Sequence, residues 1–183
     1  MYEKGNLKST SVGSGYVHVY TGNGKGKTTA AIGLAVRAAG AGLNVYFAQF
    51  VKGMEYSEIK VLKSISDQIT VTQFGRGCFI NRKPRQVDVD MARSGLEEVR
   101  AAMLSEAYHV VILDEANIAV DCNLFPVSEL VELVKDKPQG VELIITGRYA
   151  SKELLDVADL VTEMKEVRHY YNRGIKARKG IER

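Results

Sequence analysis

The stretch Tyr16-Val17-His18-Val19-Tyr20-Thr21-Gly22-Asn23-Gly24-Lys25-Gly26-Lys27-Thr28-Thr29-Ala30-Ala31 decides the fold. Its first six residues favour β structure and stop at Gly22, which predicts a strand feeding a glycine loop. From Thr28 to Ala39 the chain is alanine-rich and helix-favouring, with Gly40 and Gly42 as stop signals. Leu43 to Phe50 is apolar and β-rich again. Strand, loop, helix, strand is one βαβ unit of a parallel sheet.

The loop itself predicts a grip on the triphosphate of a nucleotide, ATP with a magnesium ion. Gly26-Lys27-Thr28 supplies the second half of the P-loop pattern G-x-x-x-x-G-K-[ST]. The first glycine of that pattern falls on Thr21, and Gly22 comes one place late, so the strict pattern fails. The chemistry still fits. Gly22, Gly24 and Gly26 let backbone N–H groups approach phosphate oxygens, with Asn23 between them. The helix that begins near Lys27 turns its positive end to the anion. Lys27 adds a full charge, Thr28 a hydroxyl for magnesium, and Thr29 a second one. Lys25 is the unusual residue: either a solvated side chain or extra charge for a strongly anionic, departing triphosphate.

Outward from this unit, Ile69 to Phe74 predicts a strand, and Gly75 to Arg85 a basic loop. Val89, Ala92, Leu96, Val99 and Met103 recur at helical spacing. His109 to Leu113 is an unbroken apolar strand of the kind buried on both faces. Pro126 to Lys137 predicts a helix, Val141 to Thr146 a strand, Ser151 to Val157 a short helix capped by Ser151, and Leu160 to Met164 a last strand. The expected fold is α/β: a P-loop NTPase-like three-layer sandwich with a mostly parallel central sheet. Residues 1–15 predict a flexible arm or a flap over substrate, and residues 16–183 a single domain with a basic tail.

The strand ending in Asp114-Glu115 is the second candidate site. In P-loop proteins an acid there helps hold magnesium or its waters. Successive strand side chains alternate, which sends Asp114 and Glu115 in different directions and leaves open which acid serves the metal.

Bulk properties exclude several classes. The 183 residues are 45% hydrophobic and 26% charged, as in one soluble domain. A net charge of +3 suits an anionic small molecule as well as a nucleic acid. Met1 to Gly15 is too polar for a secretory signal, and no apolar run reaches the roughly 20 residues that span a bilayer. Cys78 and Cys122 form no ligand-spaced pair, which predicts a reducing cytoplasm without a disulfide.

Several stretches together carry a family resemblance: Tyr20 to Ala31, Gln49-Phe50-Val51-Lys52-Gly53, Leu113-Asp114-Glu115, Thr146-Gly147-Arg148, Ala158 to Met164, Gly174-Ile175 and Ala177 to Glu182. In that order they make the chain similar to the P-loop type ATP:corrinoid adenosyltransferases of cobalamin synthesis and salvage. The resemblance implies that a corrinoid reduced to the cob(I) state attacks the 5′ carbon of ATP and that inorganic triphosphate leaves whole. It implies phosphate contacts from Gly24 to Thr29, charge stabilisation by Lys25 and Lys27, magnesium at Thr28 with Asp114 or Glu115, and either an ATP-side cation or a surface pair at Arg148. Gln49, Lys52 and Glu55, placed after the second strand, join the ligand edge without assigned roles. It also implies a homodimer and leaves room for an electron-donor protein such as a flavoprotein. No nucleic acid or membrane partner is expected.

The chain departs from the family in the middle loop. Aromatics there are expected to press on the corrin and displace its lower ligand. Here Gly75-Arg76-Gly77-Cys78-Phe79-Ile80-Asn81 puts Cys78 and Ile80 at those positions. Cys78, Phe79 and Ile80 are the candidate corrinoid contacts, the alternative being a packed surface loop. The basic tail from Lys165 to Arg183 has too few aromatics, Tyr170 and Tyr171, for a nucleic-acid stacking platform. A conventional kinase or ATPase and a non-catalytic nucleotide-binding module are the competing functions.

Overall fold

The computed structural model describes residues 13–54, 56–76 and 84–182. The elements run β1 (Val17–Thr21), α1 (Lys27–Gly40), β2 (Val45–Phe50), α2 (Ser57–Ile65), β3 (Ile69–Phe74), α3 (Gln86–Leu104), β4 (Val110–Asp114), α4 (Ala116–Asp121), α5 (Val127–Lys135), β5 (Glu142–Thr146), α6 (Lys152–Leu155) and β6 (Leu160–Glu163). A 3-10 turn, Tyr170–Arg173, follows.

The strands form one sheet in the order β3-β2-β4-β5-β1-β6, and every described pairing is parallel. The sheet is therefore wholly rather than mostly parallel, because each described connection crosses over through a helix and none is a hairpin. The steps β1 to β2 and β2 to β3 move one way along the sheet, and the later steps move the other way. Right-handed crossovers then put α1 and α2 on one face and α3 to α6 on the opposite face.

The burial pattern records this division. Val45 and Phe47 of β2 join Ala31, Ala35, Ala38, Ile59 and Leu62 in the core under α1 and α2. Tyr46, Ala48 and Phe50, the alternate residues, join Leu96, Val99, Leu130 and Leu133 on the far side. A strand with both sets buried reads as a continuous apolar run, as β2 and β4 do. Two short helices, α2 and α4, appear where the sequence predicted none. Pro126 precedes α5 as its N-cap residue, with an extended ψ of 153°. Ser151 does cap α6, its hydroxyl accepting from the Leu154 N–H at 3.3 Å.

All six strands end at the same edge. The glycine loop follows β1, Lys52 follows β2, Gly75 follows β3, Glu115 follows β4, Arg148 follows β5 and Met164 follows β6. In open parallel sheets this carboxyl edge is where ligands bind.

Candidate functional site

Thr21, standing where the usual pattern has its first glycine, is the last residue of β1 and pairs with Glu163 of β6. Its hydroxyl accepts from the Ala150 N–H at 3.3 Å and its carbonyl from the Met164 N–H at 2.9 Å. Pairing with β6 keeps Thr21 in the sheet, so the turn starts one place later. Gly22 takes the left-handed φ of 92°, and Gly26, just before α1, a φ of 122°. The loop is also wedged against the chain leaving β6. The Gly24 N–H donates to the Met164 carbonyl at 2.6 Å, and a Cβ on Gly24 would stand 2.7 Å from that oxygen. The neighbouring backbone therefore demands Gly22 and Gly24, independently of any anion.

Lys27 opens α1 and is buried. Its Nζ donates to the Gly22 carbonyl at 2.7 Å and the Gly24 carbonyl at 2.8 Å, folding the ammonium over the loop. Burial pushes its pKa down, and the neighbouring Arg148 charge pushes it further, against the pull of Glu115 and Asp114. Asn23 and Thr29 are exposed on the loop and on the first turn of α1. Lys25 is directed at the tail: its Nζ lies 3.0 Å from Glu182 Oε1, 3.0 Å from the Ile181 carbonyl and 3.2 Å from the Tyr170 hydroxyl.

Asp114 is fully buried at the end of β4, and both its carboxylate oxygens are engaged. Oδ1 accepts from the Thr28 hydroxyl at 2.8 Å and the Thr146 hydroxyl at 2.7 Å. Oδ2 accepts from Gln49 Nε2 at 2.9 Å, and Lys52 Nζ lies 3.6 Å away. Thus the loop, β2, β4 and β5 are joined through one carboxylate. Glu115 has already left the strand, with a left-handed φ of 62°. Strand alternation stops at Asp114, so the two acids do not diverge as expected: Glu115 Oε1 also meets Lys52 Nζ, at 3.2 Å. Burial works against the Lys52 charge, but Asp114 and Glu115 outweigh it and hold its pKa above the ordinary lysine value.

Gln49 lies within β2, not after it, and is itself held by Gln73 Nε2 at 2.9 Å. Sequence reasoning assigned Gln49, Lys52 and Thr146 no role. Their signals were position at the carboxyl ends of β2 and β5 and membership of the stretches that carry the family resemblance. Arg148 is exposed after β5, close enough to Lys27 to act on its charge. Gly147, between Thr146 and Arg148, has a φ of 135° and packs on Asn117, whose Nδ2 donates to the Gly147 carbonyl at 3.1 Å.

Cys78, Phe79, Ile80 and Glu55 lie outside the described residues. The base of the loop that carries the first three is described. Asp88 of α3 accepts from Arg76 Nε at 2.9 Å on one side and from the Arg85 N–H at 2.8 Å on the other, closing that base. An open cleft of about 430 Å³ beside it is bounded by Val89, Arg93, Leu124, Phe125 and Val127.

Thr28, Asp114 and Glu115 offer hard oxygen donors suited to magnesium. Among the described residues no three His, Cys, Asp or Glu side chains gather to hold a metal by themselves. A cation here would complete its shell with substrate phosphate and water, as magnesium does in nucleotide sites. No described helix is long and apolar enough to cross a membrane.

Fold and edge together define a three-layer α/β protein that sets a glycine–lysine loop against a buried strand-end carboxylate. The family described as ATP:corrinoid adenosyltransferase BtuR/CobO/CobP matches residues 13–183. A corrinoid adenosyltransferase of Sinorhizobium sp is 37% identical over 171 residues, covering 92% of this chain and 80% of that protein. One of Escherichia coli strain K12 is 34% identical over 171 residues, 92% of this chain and 85% of that one. An uncharacterized Nostoc protein is 38% identical over 172 residues, 85% of this chain but 45% of its own length. The chain belongs to the ATP:corrinoid adenosyltransferase family, and its activity is the ATP-dependent transfer of an adenosyl group to a corrinoid.

Proposed function

We propose that the protein moves the 5′-deoxyadenosyl group of ATP onto the cobalt of a cob(I) corrinoid and releases inorganic triphosphate, in cobalamin synthesis or salvage. In a chain of this family, the observation that carries the reading is the Lys27 loop docked on Asp114 through the Thr28 hydroxyl at 2.8 Å. Cobalt supplies the electron pair for the new cobalt–carbon bond. The bond from C5′ to oxygen breaks, and its pair leaves with the triphosphate. The protein needs no nucleophile of its own; it supplies position and charge.

Charge grows on the α-phosphate end as the bond breaks, and fixed cations and amides aimed there lower the barrier. The backbone amides of the loop from Gly22 to Thr29 embrace the triphosphate, Lys27 swings its ammonium from the two loop carbonyls to phosphate oxygens, and Arg148 adds a second charge. Magnesium, when bound, neutralises phosphate charge and fixes its geometry. Both Asp114 oxygens are already engaged, so it orients Thr28: the hydroxyl gives its proton to Asp114 and turns its lone pairs to the cation. Glu115, held by Lys52, is the acid with room for the cation or its waters.

The corrinoid occupies the side of the β3–α3 loop, with Cys78, Phe79 and Ile80 against its lower face. The apolar cleft beside the Asp88 clamp supports that placement. An electron-donor protein such as a flavoprotein reduces the corrinoid. The protein works in the cytoplasm as a homodimer, for which the exposed Leu160 and Val161 of the edge strand β6 offer an apolar surface. A conventional kinase or ATPase is not favoured by the family.

The test is a mixture of protein, MgATP and chemically reduced cobalamin. The corrin spectrum should change to that of the adenosylated product, dependent on both ATP and protein. A steady ADP release with an unchanged corrin spectrum contradicts the proposal.

A further inference from the structure

The family resemblance assigns Lys25 to charge stabilisation of the triphosphate, yet its ammonium is committed elsewhere. A lysine ammonium has three protons to give. All three have acceptors on the tail: Glu182 Oε1 and the Ile181 carbonyl at 3.0 Å, and the Tyr170 hydroxyl at 3.2 Å. The receiving structure is assembled without it. The Glu182 carboxylate accepts from the Arg178 N–H at 2.7 Å and faces the Arg178 guanidinium at 3.2 Å, and the Tyr170 hydroxyl donates to it. Arg178 also lies over the Tyr170 ring, 5.0 Å from its centre. Arg178 and Tyr170, with Lys25, hold the Glu182 carboxyl well below the usual range, so it stays an anion throughout the working pH range. On the other side of the loop the Gly24 N–H is fastened to the Met164 carbonyl. The glycine loop is thus gripped by both ends of the segment that follows β6.

We propose that Lys25 is a positioning residue that straps the C-terminal segment to the phosphate loop, with Glu182 as its latch, and that this strap holds the loop in its binding geometry. The proposal deepens the ATP-dependent reading above. It also gives Glu182 a role, because its carboxylate braces a loop residue that the common P-loop pattern leaves unconstrained.

Lys25→Met and Glu182→Gln both break the Lys25–Glu182 pair, and Glu182→Gln also weakens the Arg178 and Tyr170 contacts inside the tail. Hydrogen exchange of the Tyr170–Glu182 amides, measured on protein without nucleotide, should accelerate in both, and in the double variant by less than the two effects combined. The KM for ATP should rise roughly two- to fivefold in each, the scale of an exposed charge pair, with kcat little changed. The double variant should raise KM by less than the product of the two single effects, because coupled partners are not additive. If Lys25 instead contacts phosphate, Lys25→Met alone should lower the rate by about 10² to 10³ while Glu182→Gln is silent, and the strap is overturned. Unchanged tail exchange in both variants overturns it as well. The exchange readout needs no turnover, so failure of the strap is distinct from failure of the adenosyl-transfer reading. Lys25→Arg, which keeps charge and donors, should retain slow exchange.

Discussion

Asp114→Asn leaves size and shape unchanged and alters one oxygen to an NH₂ group, so it isolates the role of the buried carboxylate. Asp114 accepts from Thr28 and Thr146 on Oδ1 and from Gln49 on Oδ2, with Lys52 3.6 Å from Oδ2. An amide nitrogen on the Oδ2 side faces two donors. Gln49 could meet it by reversing its own amide, but its oxygen already accepts from Gln73 Nε2 at 2.9 Å, so the conflict moves one residue along. An amide nitrogen on the Oδ1 side requires both threonine hydroxyls to turn and accept, which directs a Thr28 lone pair at the amide instead of at a cation. Either way a buried donor loses its acceptor and Lys52 keeps one carboxylate instead of two. Hydrogen bonds to a charged group contribute about 1.5–3 kcal/mol, and breaking a buried pair costs about 3–5 kcal/mol. Because Glu115 still holds Lys52, the expected loss is about 2–4 kcal/mol. In a domain of this size that lowers Tm by roughly 4–16 °C. Urea unfolding at constant m reads the stability, and steady-state kinetics should show ATP-dependent activity down by about 10² or more. A variant within about 0.5 kcal/mol of the wild type, the scatter of neutral surface changes, would refute this account of the buried carboxylate.

Lys27→Ala should lower ATP-dependent turnover by about 10² to 10³ while the fold survives; near-normal turnover would remove Lys27 from the proposed machinery. Gly24→Ala would set a Cβ 2.7 Å from the Met164 carbonyl, and backbone must yield, so stability should fall by about 1–3 kcal/mol, read by urea unfolding. Lys27 has a lowered pKa from burial and Arg148, so its charged form costs stability at neutral pH, a cost that fades as pH rises through that depressed value. The same proton is needed for the anion, so kcat/KM for ATP should be full at neutral pH and fall on the alkaline side, beginning below the ordinary lysine pKa of about 10.4. An alkaline limb at or above that value would contradict the assignment.

The sheet was legible because its strands announce themselves. Ile69 to Phe74 is a strand with those bounds, and the unbroken apolar runs of β2 and β4 reflect burial on both faces. Helix α3 was legible because its buried residues Ala92, Leu96, Val99 and Met103 repeat at helical spacing over 19 residues. Helices α2 and α4 were not. The nine residues of α2 bury only Ile59 and Leu62, and α4 has six residues starting directly after a left-handed Glu115, too few for a period to show. The loop was legible from its composition, but its glycines mean more than composition reveals. Gly22 and Gly24 are also required by Met164, more than 130 residues away in sequence, and only the pairing of β6 with β1 brings it there. The same holds for Lys25 and Glu182. An alternation rule borrowed from strands failed for Asp114 and Glu115 because the strand ends between them.

The most direct test of the central claim is the identity of the phosphate product. Protein, MgATP and excess chemically reduced cobalamin are followed by phosphorus NMR while the corrin spectrum is recorded. One inorganic triphosphate should appear for each adenosylated corrinoid, with no ADP, and omission of the corrinoid should abolish it. ADP with orthophosphate, or AMP with pyrophosphate, formed independently of the corrinoid would show that the loop serves phosphate chemistry and would contradict the account.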